Sequence, residues 1–104
     1  MSFDGTEGGL IPLADAAAMT AAYRADNSRG LKGYFFGKDI LKQILDQSKG
    51  CMGIRIYYAE DPDTGKQQMV IVGADAQEND MLDLVADFAR PCPSMCGKPN
   101  VLNS

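Results

Sequence analysis

The residues best suited to chemistry are three cysteines, two of which lie close together near the C-terminus. Cys92 and Cys96 bracket a loop that begins with proline, and Cys51 could supply a third thiol. Three thiolates suit a soft metal such as zinc, but structural zinc sites pair C-x-x-C units and need a fourth ligand. A Cys92–Cys96 disulfide could act as a redox switch, although thioredoxin-type chemistry uses C-x-x-C.

A third interpretation of the cysteines is that they are packed, unreactive thiols, and the sequence favours it. Their number is odd and their spacing does not resemble a disulfide framework, which is typical of reduced cysteines in the cytoplasm. We therefore expect no resident cofactor, with zinc at Cys51, Cys92 and Cys96 as the metal alternative.

A second candidate site is the pair Arg55 and Tyr57, which alternate with Ile54, Ile56 and Tyr58. Strand alternation would place the first two side chains on one face of a sheet and the other three in the core. Arg and Tyr are enriched at recognition surfaces, so Arg55 and Tyr57 are candidates for an interface or a ligand contact. The simpler interpretation is that they occupy the outer face of the sheet.

The chain has no histidine, which removes the commonest general base and the usual ligand of catalytic zinc. An enzyme would have to use carboxylates, Lys or Cys. The glycines at 30, 33 and 37 do not have the spacing of a phosphate-binding loop. The acidic groups at 60–63 and 75–80 fit a hairpin turn and a helix cap. The sequence thus favours a non-enzymatic protein.

The charge distribution argues against nucleic-acid and membrane partners. Ten basic residues stand against fourteen acidic ones, and no run of Lys or Arg exceeds one residue, so clustered phosphate contacts are not expected. No secretory pattern occupies residues 1–10, and no stretch approaches the roughly 18 apolar residues that span a bilayer. We expect a cytoplasmic location.

Periodicity predicts an α+β fold, with a flexible lead-in over residues 1–10 and a single domain over 11–104. Its elements are two N-terminal helices followed by an antiparallel β-hairpin, a third helix that the pattern allows, and an irregular Cys/Pro tail. The predicted ranges are helices Leu13–Asp26 and about Lys38–Lys49, strands Met52–Ala59 and Gln68–Ala74, the third helix over Asp80–Arg90, and a tail over Pro91–Ser104.

An isolated hairpin is marginal in water, because each strand retains an unpaired edge. The sheet must gain a partner from its own chain or from a second copy, and on that ground we predict a homodimer. The function that follows is a self-associating interaction or assembly module whose other partners, protein or small molecule, are unknown. The alternatives are a cysteine-centred redox or metal-binding protein and a small-molecule binder in which Arg55 contacts an anionic group.

Three segments resemble a group of small uncharacterised bacterial proteins: Gly50–Tyr58 (GCMGIRIYY), Met19–Arg24 (MTAAYR) and the late Cys92-Pro93-x-x-Cys96. The resemblance covers about residue 11 to the end. It implies a shared architecture and carries no mechanism. Members of that group have loop-like sequence where this chain has residues 80–90, so the third helix stays open.

Overall fold

The chain folds into two helices and five strands in the computed structural model, which describes residues 2–27 and 30–104. Residue 1 of the predicted lead-in, and Ser28 and Arg29, lie outside the described residues. The elements in chain order are α1 (Leu13–Asp26), β1 (Gly33–Phe35), α2 (Lys38–Leu45), β2 (Cys51–Glu60), β3 (Gln67–Asp75), β4 (Asp80–Ala86) and β5 (Arg90–Cys92).

These elements form two compact units. The first unit comprises Met1–Glu7 and Phe36–Ala89, and therefore contains α2, β2, β3 and β4. The second unit comprises Gly8–Phe35 and Arg90–Ser104, and contains α1, β1 and β5. Neither of the two helices combines the length and the apolar character that crossing a bilayer would require.

The first unit is built on an antiparallel sheet in the order β2-β3-β4. β2 and β3 form the predicted hairpin, in which Arg55 pairs with Val72 and Ile56 with Ile71. The turn is closed by Asp61, whose carboxylate accepts hydrogen bonds from the backbone N–H groups of Asp63 (2.8 Å) and Thr64 (3.1 Å). This is the expected turn chemistry of aspartate.

Helix α2 packs on part of one face of this sheet. Its Ile44 is completely buried, and Ile71 on the central strand is 1% exposed. The helix lies so close at Gly73 that an added Cβ would stand 3.3 Å from Ile44 Cγ2, and it would also stand 3.0 Å from Cys51 Sγ at the start of β2. The absence of a side chain at Gly73 therefore allows the helix and the sheet to approach each other.

The buried core of the described residues is small and includes side chains on both faces of β3. Among the described residues, the buried apolar side chains are Ile44, Ile71, Val72 and Ala74. Burial of a large apolar side chain contributes about 1.5–3 kcal/mol. Many large apolar side chains therefore remain exposed to solvent, with Tyr58 at 85% and Phe88 at 87%.

The second unit contains a short antiparallel pair and helix α1. β1 and β5 pair so that Gly33 faces Cys92 and Phe35 faces Arg90. Helix α1 has no fully buried residue. Its Arg24 donates a hydrogen bond to the carbonyl of Leu102 (2.6 Å), which connects the helix to the C-terminal residues.

The predicted fold class is wrong in its arrangement of elements. The sequence was expected to form two N-terminal helices, one hairpin, a third helix and an irregular tail. The described residues instead form two sheets, α2 is shortened to Lys38–Leu45, and β5 (Arg90–Cys92) joins the end of the predicted third helix to the start of the predicted tail.

The third helix is the largest error, because residues 80–86 form strand β4. Met81 pairs with Gly73, but the next pair is Val85 with Val72, so residues 82–84 bulge out of the ladder. This interruption breaks the alternation of period two that identifies a strand. The spacing of the apolar residues therefore matched that of an amphipathic helix.

Candidate functional site

The first candidate site is built around Arg55 and Tyr57 on strand β2. The register places these residues opposite Val72 and Val70, on the face of the sheet away from α2. The sequence prediction that Arg55 and Tyr57 share a face is consistent with this register.

Asp80 completes the cluster from strand β4, at the opposite edge of the sheet. Its carboxylate accepts a hydrogen bond from Arg55 Nη1 at 2.5 Å and another from the Tyr57 hydroxyl at 2.5 Å. Arg55 Nη1 also donates to the carbonyl of Glu78 at 3.1 Å. Because β3 lies between β2 and β4, the arginine side chain spans the central strand. We call Arg55, Tyr57 and Asp80 the charge cluster.

The contacts in the charge cluster shift two pKa values in opposite directions. The hydrogen bond from Tyr57 is the largest influence and lowers the pKa of Asp80. Burial opposes it by raising that pKa, and the hydrogen bond from Arg55 and its positive charge lower it further. The hydrogen bond to Asp80 raises the pKa of Arg55. Both groups are therefore held in their charged forms, as an ion pair with charge-assisted hydrogen bonds.

The N-terminal residues contribute an aromatic ring to this site. Arg55 Cζ lies 5.4 Å from the centroid of the Phe3 ring, within the range of a cation–π contact. Phe3 is fixed by a hydrogen bond from its backbone N–H to the carbonyl of Ala76 at 2.9 Å. This segment, predicted as part of a flexible lead-in, thus contributes to the ordered site.

A cavity of about 380 Å³ adjoins the cluster within the first unit. Its walls include Phe3, Glu7, Met52, Ile54 and Arg55. The guanidinium of Arg55 is already bonded to Asp80 and Glu78, so an anionic ligand here would compete with an internal carboxylate. The geometry therefore indicates a structural role for Arg55 rather than anion capture.

The second candidate site is the cysteine loop, in which Cys92 and Cys96 form a disulfide with a Cα–Cα distance of 4.6 Å. The favoured interpretation of inert, reduced thiols is wrong for this pair. Cys51 is a free, half-buried thiol on β2 in the first unit, and its Sγ donates to the carbonyl of Gly53 at 3.4 Å. Within residues 2–27 and 30–104, no three potential metal ligands are grouped together.

A third feature, which the sequence did not indicate, is an exposed apolar stretch on β2. Tyr58 is 85% exposed and Ile56 is 59% exposed, although the alternation predicted both as core. Alternation identifies the two faces of a strand, but it does not reveal how far a helix covers one of them. Helix α2 covers the part of this face near Ile71 and Gly73 and leaves Ile56 and Tyr58 open.

Comparison with protein-family models, with curated proteins and with solved structures finds no match to this chain.

Proposed function

We propose that the protein is a non-enzymatic assembly module that self-associates by pairing strand β2 with β2 of a second copy. The observation that carries this proposal is the exposed apolar stretch Ile56-Tyr57-Tyr58 on an edge strand. The proposed function requires no cofactor.

The first support is the open edge itself. β2 is the outer strand of the β2-β3-β4 sheet, and no other strand in the described part of the chain pairs with its free side. From Gly53 to Glu60 its pairing with β3 is regular. An edge strand of this kind presents unpaired N–H and C=O groups to solvent and is a template for a further strand.

The second support is a difference between the two edges of the sheet. Natural edge strands are protected by lysine, proline, bulges or short length. β4 carries a bulge over residues 82–84 and exposes the acidic Asp83. β2 contains neither proline nor lysine, and its own irregularity is confined to its start, between Cys51 and Gly53. Its Arg55 reaches across the sheet to Asp80. β2 is therefore the edge that favours association.

The third support is the geometry of a two-fold pair. Two antiparallel copies of β2 related by an axis perpendicular to the sheet keep equivalent faces on the same side. Ile56 and Tyr58 of one copy would then lie beside apolar residues of the other, and such cross-strand pairs contribute about 0.2–1 kcal/mol each. The only charged residues of β2 are Arg55 and Glu60, so the edge carries no net charge.

The test compares matched lysine substitutions at the two edges. Tyr58→Lys places a charge on β2, and the control Leu82→Lys places one on β4, where the side chain is 75% exposed. By light scattering, the unmodified protein should have twice the 11.2 kDa chain mass. Tyr58→Lys should have the mass of one chain, and Leu82→Lys should retain the dimer mass.

Far-UV circular dichroism establishes that each variant remains folded, and Tyr58→Glu serves as the second variant if Tyr58→Lys unfolds. A dimer that survives the charge at residue 58, or that is lost equally with Leu82→Lys, would exclude the β2 edge as the interface.

A further inference from the structure

The cysteine loop lies between two structural parts of the second unit. Cys92 is the last residue of β5, where it pairs with Gly33 of β1. Cys96 is followed by residues 97–104, which we call the C-terminal segment. The disulfide therefore connects the end of β5 to the residue that immediately precedes the C-terminal segment.

The C-terminal segment is attached to the rest of the second unit through side chains near the surface. Arg24 donates to the carbonyl of Leu102 at 2.6 Å, and Lys32 Nζ donates to the carbonyl of Asn103 at 2.7 Å. Asn103 Nδ2 in turn donates to the carbonyl of Cys96 at 3.2 Å. This last bond depends on the position of Cys96, and the disulfide fixes that position relative to β5.

Hydrogen bonds at exposed sites are weak, because water competes for the same donors and acceptors. A covalent link that holds one end of a segment raises the effective concentration of its groups near their partners. When the link is broken, the same hydrogen bonds must form from a less restricted chain. The disulfide therefore restricts the positions that Cys96, and with it the start of the C-terminal segment, can take relative to β5.

The loop is also accessible to a reductant. Both cysteines are partly exposed, and the three residues between them are exposed, with Met95 at 58%. The stretch from Arg90 to Lys98 contains two cations and no acidic residue. The exposure of the loop allows the thiolate of an external reductant, which is the reactive form in disulfide exchange, to reach its sulfur atoms.

We propose that Cys92 and Cys96 form a reversible thiol–disulfide switch, which fixes the C-terminal segment to α1 and to Lys32 when oxidised and releases it when reduced. The co-reactant is a dithiol. One of its thiolates attacks a sulfur of the disulfide to form a mixed disulfide, and its second thiolate displaces the protein sulfur. Two electrons and two protons pass to Cys92 and Cys96, and the reductant leaves as a disulfide.

The test measures backbone order by NMR relaxation in the full chain, before and after equilibration with excess dithiothreitol. Mass spectrometry after alkylation reports the number of free thiols in each sample. On reduction, the order parameters of residues 101–104 should fall from about 0.8 to below about 0.6, while those of β2 and β3 stay near 0.85.

Two variants provide the controls. Cys51→Ser removes the remaining thiol, and its residues 101–104 should lose order on reduction as those of the unmodified protein do. The double variant Cys92→Ser with Cys96→Ser should have a mobile C-terminal segment with or without reductant.

Three alkylated cysteines after treatment with oxidised glutathione would overturn the proposal, because no disulfide would then form. A disulfide that resists excess dithiothreitol in the folded protein would also overturn it. Equal order parameters for residues 101–104 in the oxidised and reduced protein would show that the disulfide does not control the C-terminal segment, and would overturn the proposal too.

Discussion

At the scale of single residues, part of the charge cluster could be predicted from the sequence and part could not. Strand alternation predicted that Arg55 and Tyr57 share a face, because it depends only on local backbone geometry. It did not predict their partner, because Asp80 lies in a segment that was interpreted as a helix and its carboxylate was interpreted as a helix cap. Contacts between strands that are distant in the chain depend on register, and a single sequence contains little information on register.

Replacement of Tyr57 tests the pKa assignment within the charge cluster. The Tyr57 hydroxyl donates to the ionised carboxylate of Asp80 and so stabilises the charged form. We therefore expect Tyr57→Phe to raise the pKa of Asp80, measured by NMR titration of its carboxyl carbon. The matched control Tyr58→Phe, on the opposite face of β2, should leave that pKa where it is. An unchanged pKa in Tyr57→Phe would contradict the hydrogen bond.

The same carboxylate gives a defined pH dependence of stability. The pKa of Asp80 is lowered in the folded protein, so its unfolded pKa is the higher of the two. The stabilisation is therefore complete above the unfolded value of about 3.9 and is lost as the pH falls through the folded value. Asp80→Asn should unfold at lower urea concentration than the unmodified protein at pH 7, and the difference should narrow below pH 4.

Asp83→Asn is the control for this prediction, because Asp83 is exposed on the same strand. It should change the urea midpoint at pH 7 less than Asp80→Asn does. A constant difference between Asp80→Asn and the unmodified protein from pH 7 to pH 3 would show that the ionised carboxylate is not the source of the effect.

At the scale of elements, the hairpin and helix α1 could be predicted, but the third strand of the sheet could not. The β2–β3 hairpin follows from alternation, a β-branched run and a turn with Asp61 and Gly65, all of which are local signals. β4 is recognisable only beside β3, because its bulge at residues 82–84 disrupts the pattern. Helix α2 begins as predicted at Lys38, but ends at Leu45, before Gly50.

The packing of α2 on β3 depends on Gly73. A Cβ at this position would stand 2.6 Å from Gln47 Nε2 and 3.0 Å from Cys51 Sγ, so both side chains would have to move. Gln47 would also be displaced from its hydrogen bond to the carbonyl of Ile44, which measures 2.8 Å. We expect Gly73→Ala to lower the free energy of unfolding by about 1–3 kcal/mol, as overpacking does.

Gly53→Ala is the matched control, because Gly53 also lies in a strand and an added Cβ would meet no atom within 4 Å. It should leave the urea midpoint nearly unchanged or raise it slightly. Equal destabilisation by both substitutions would contradict a specific close approach of α2 at Gly73.

At the scale of the whole molecule, the main feature is a small core beside a large exposed apolar surface. The large exposed apolar residues of the first unit are Leu45, Ile56, Tyr57, Tyr58, Leu82, Val85 and Phe88. Sequence analysis predicted that the sheet would need a further strand. β4 supplies one within the same chain, so one edge of the hairpin is paired, and no strand in the described part of the chain pairs with the free edge of β2. Self-association through this sheet would therefore occur at β2.

The most direct test of this account is sedimentation equilibrium of the unmodified protein over a wide concentration range, in both oxidising and reducing buffer. Pairing through β2 predicts a reversible equilibrium between one chain of 11.2 kDa and two, with the dimer dominant at high concentration. The interface is formed by the first unit, so the equilibrium should not depend on the state of Cys92 and Cys96. A single-chain mass at every concentration would contradict the proposed assembly function.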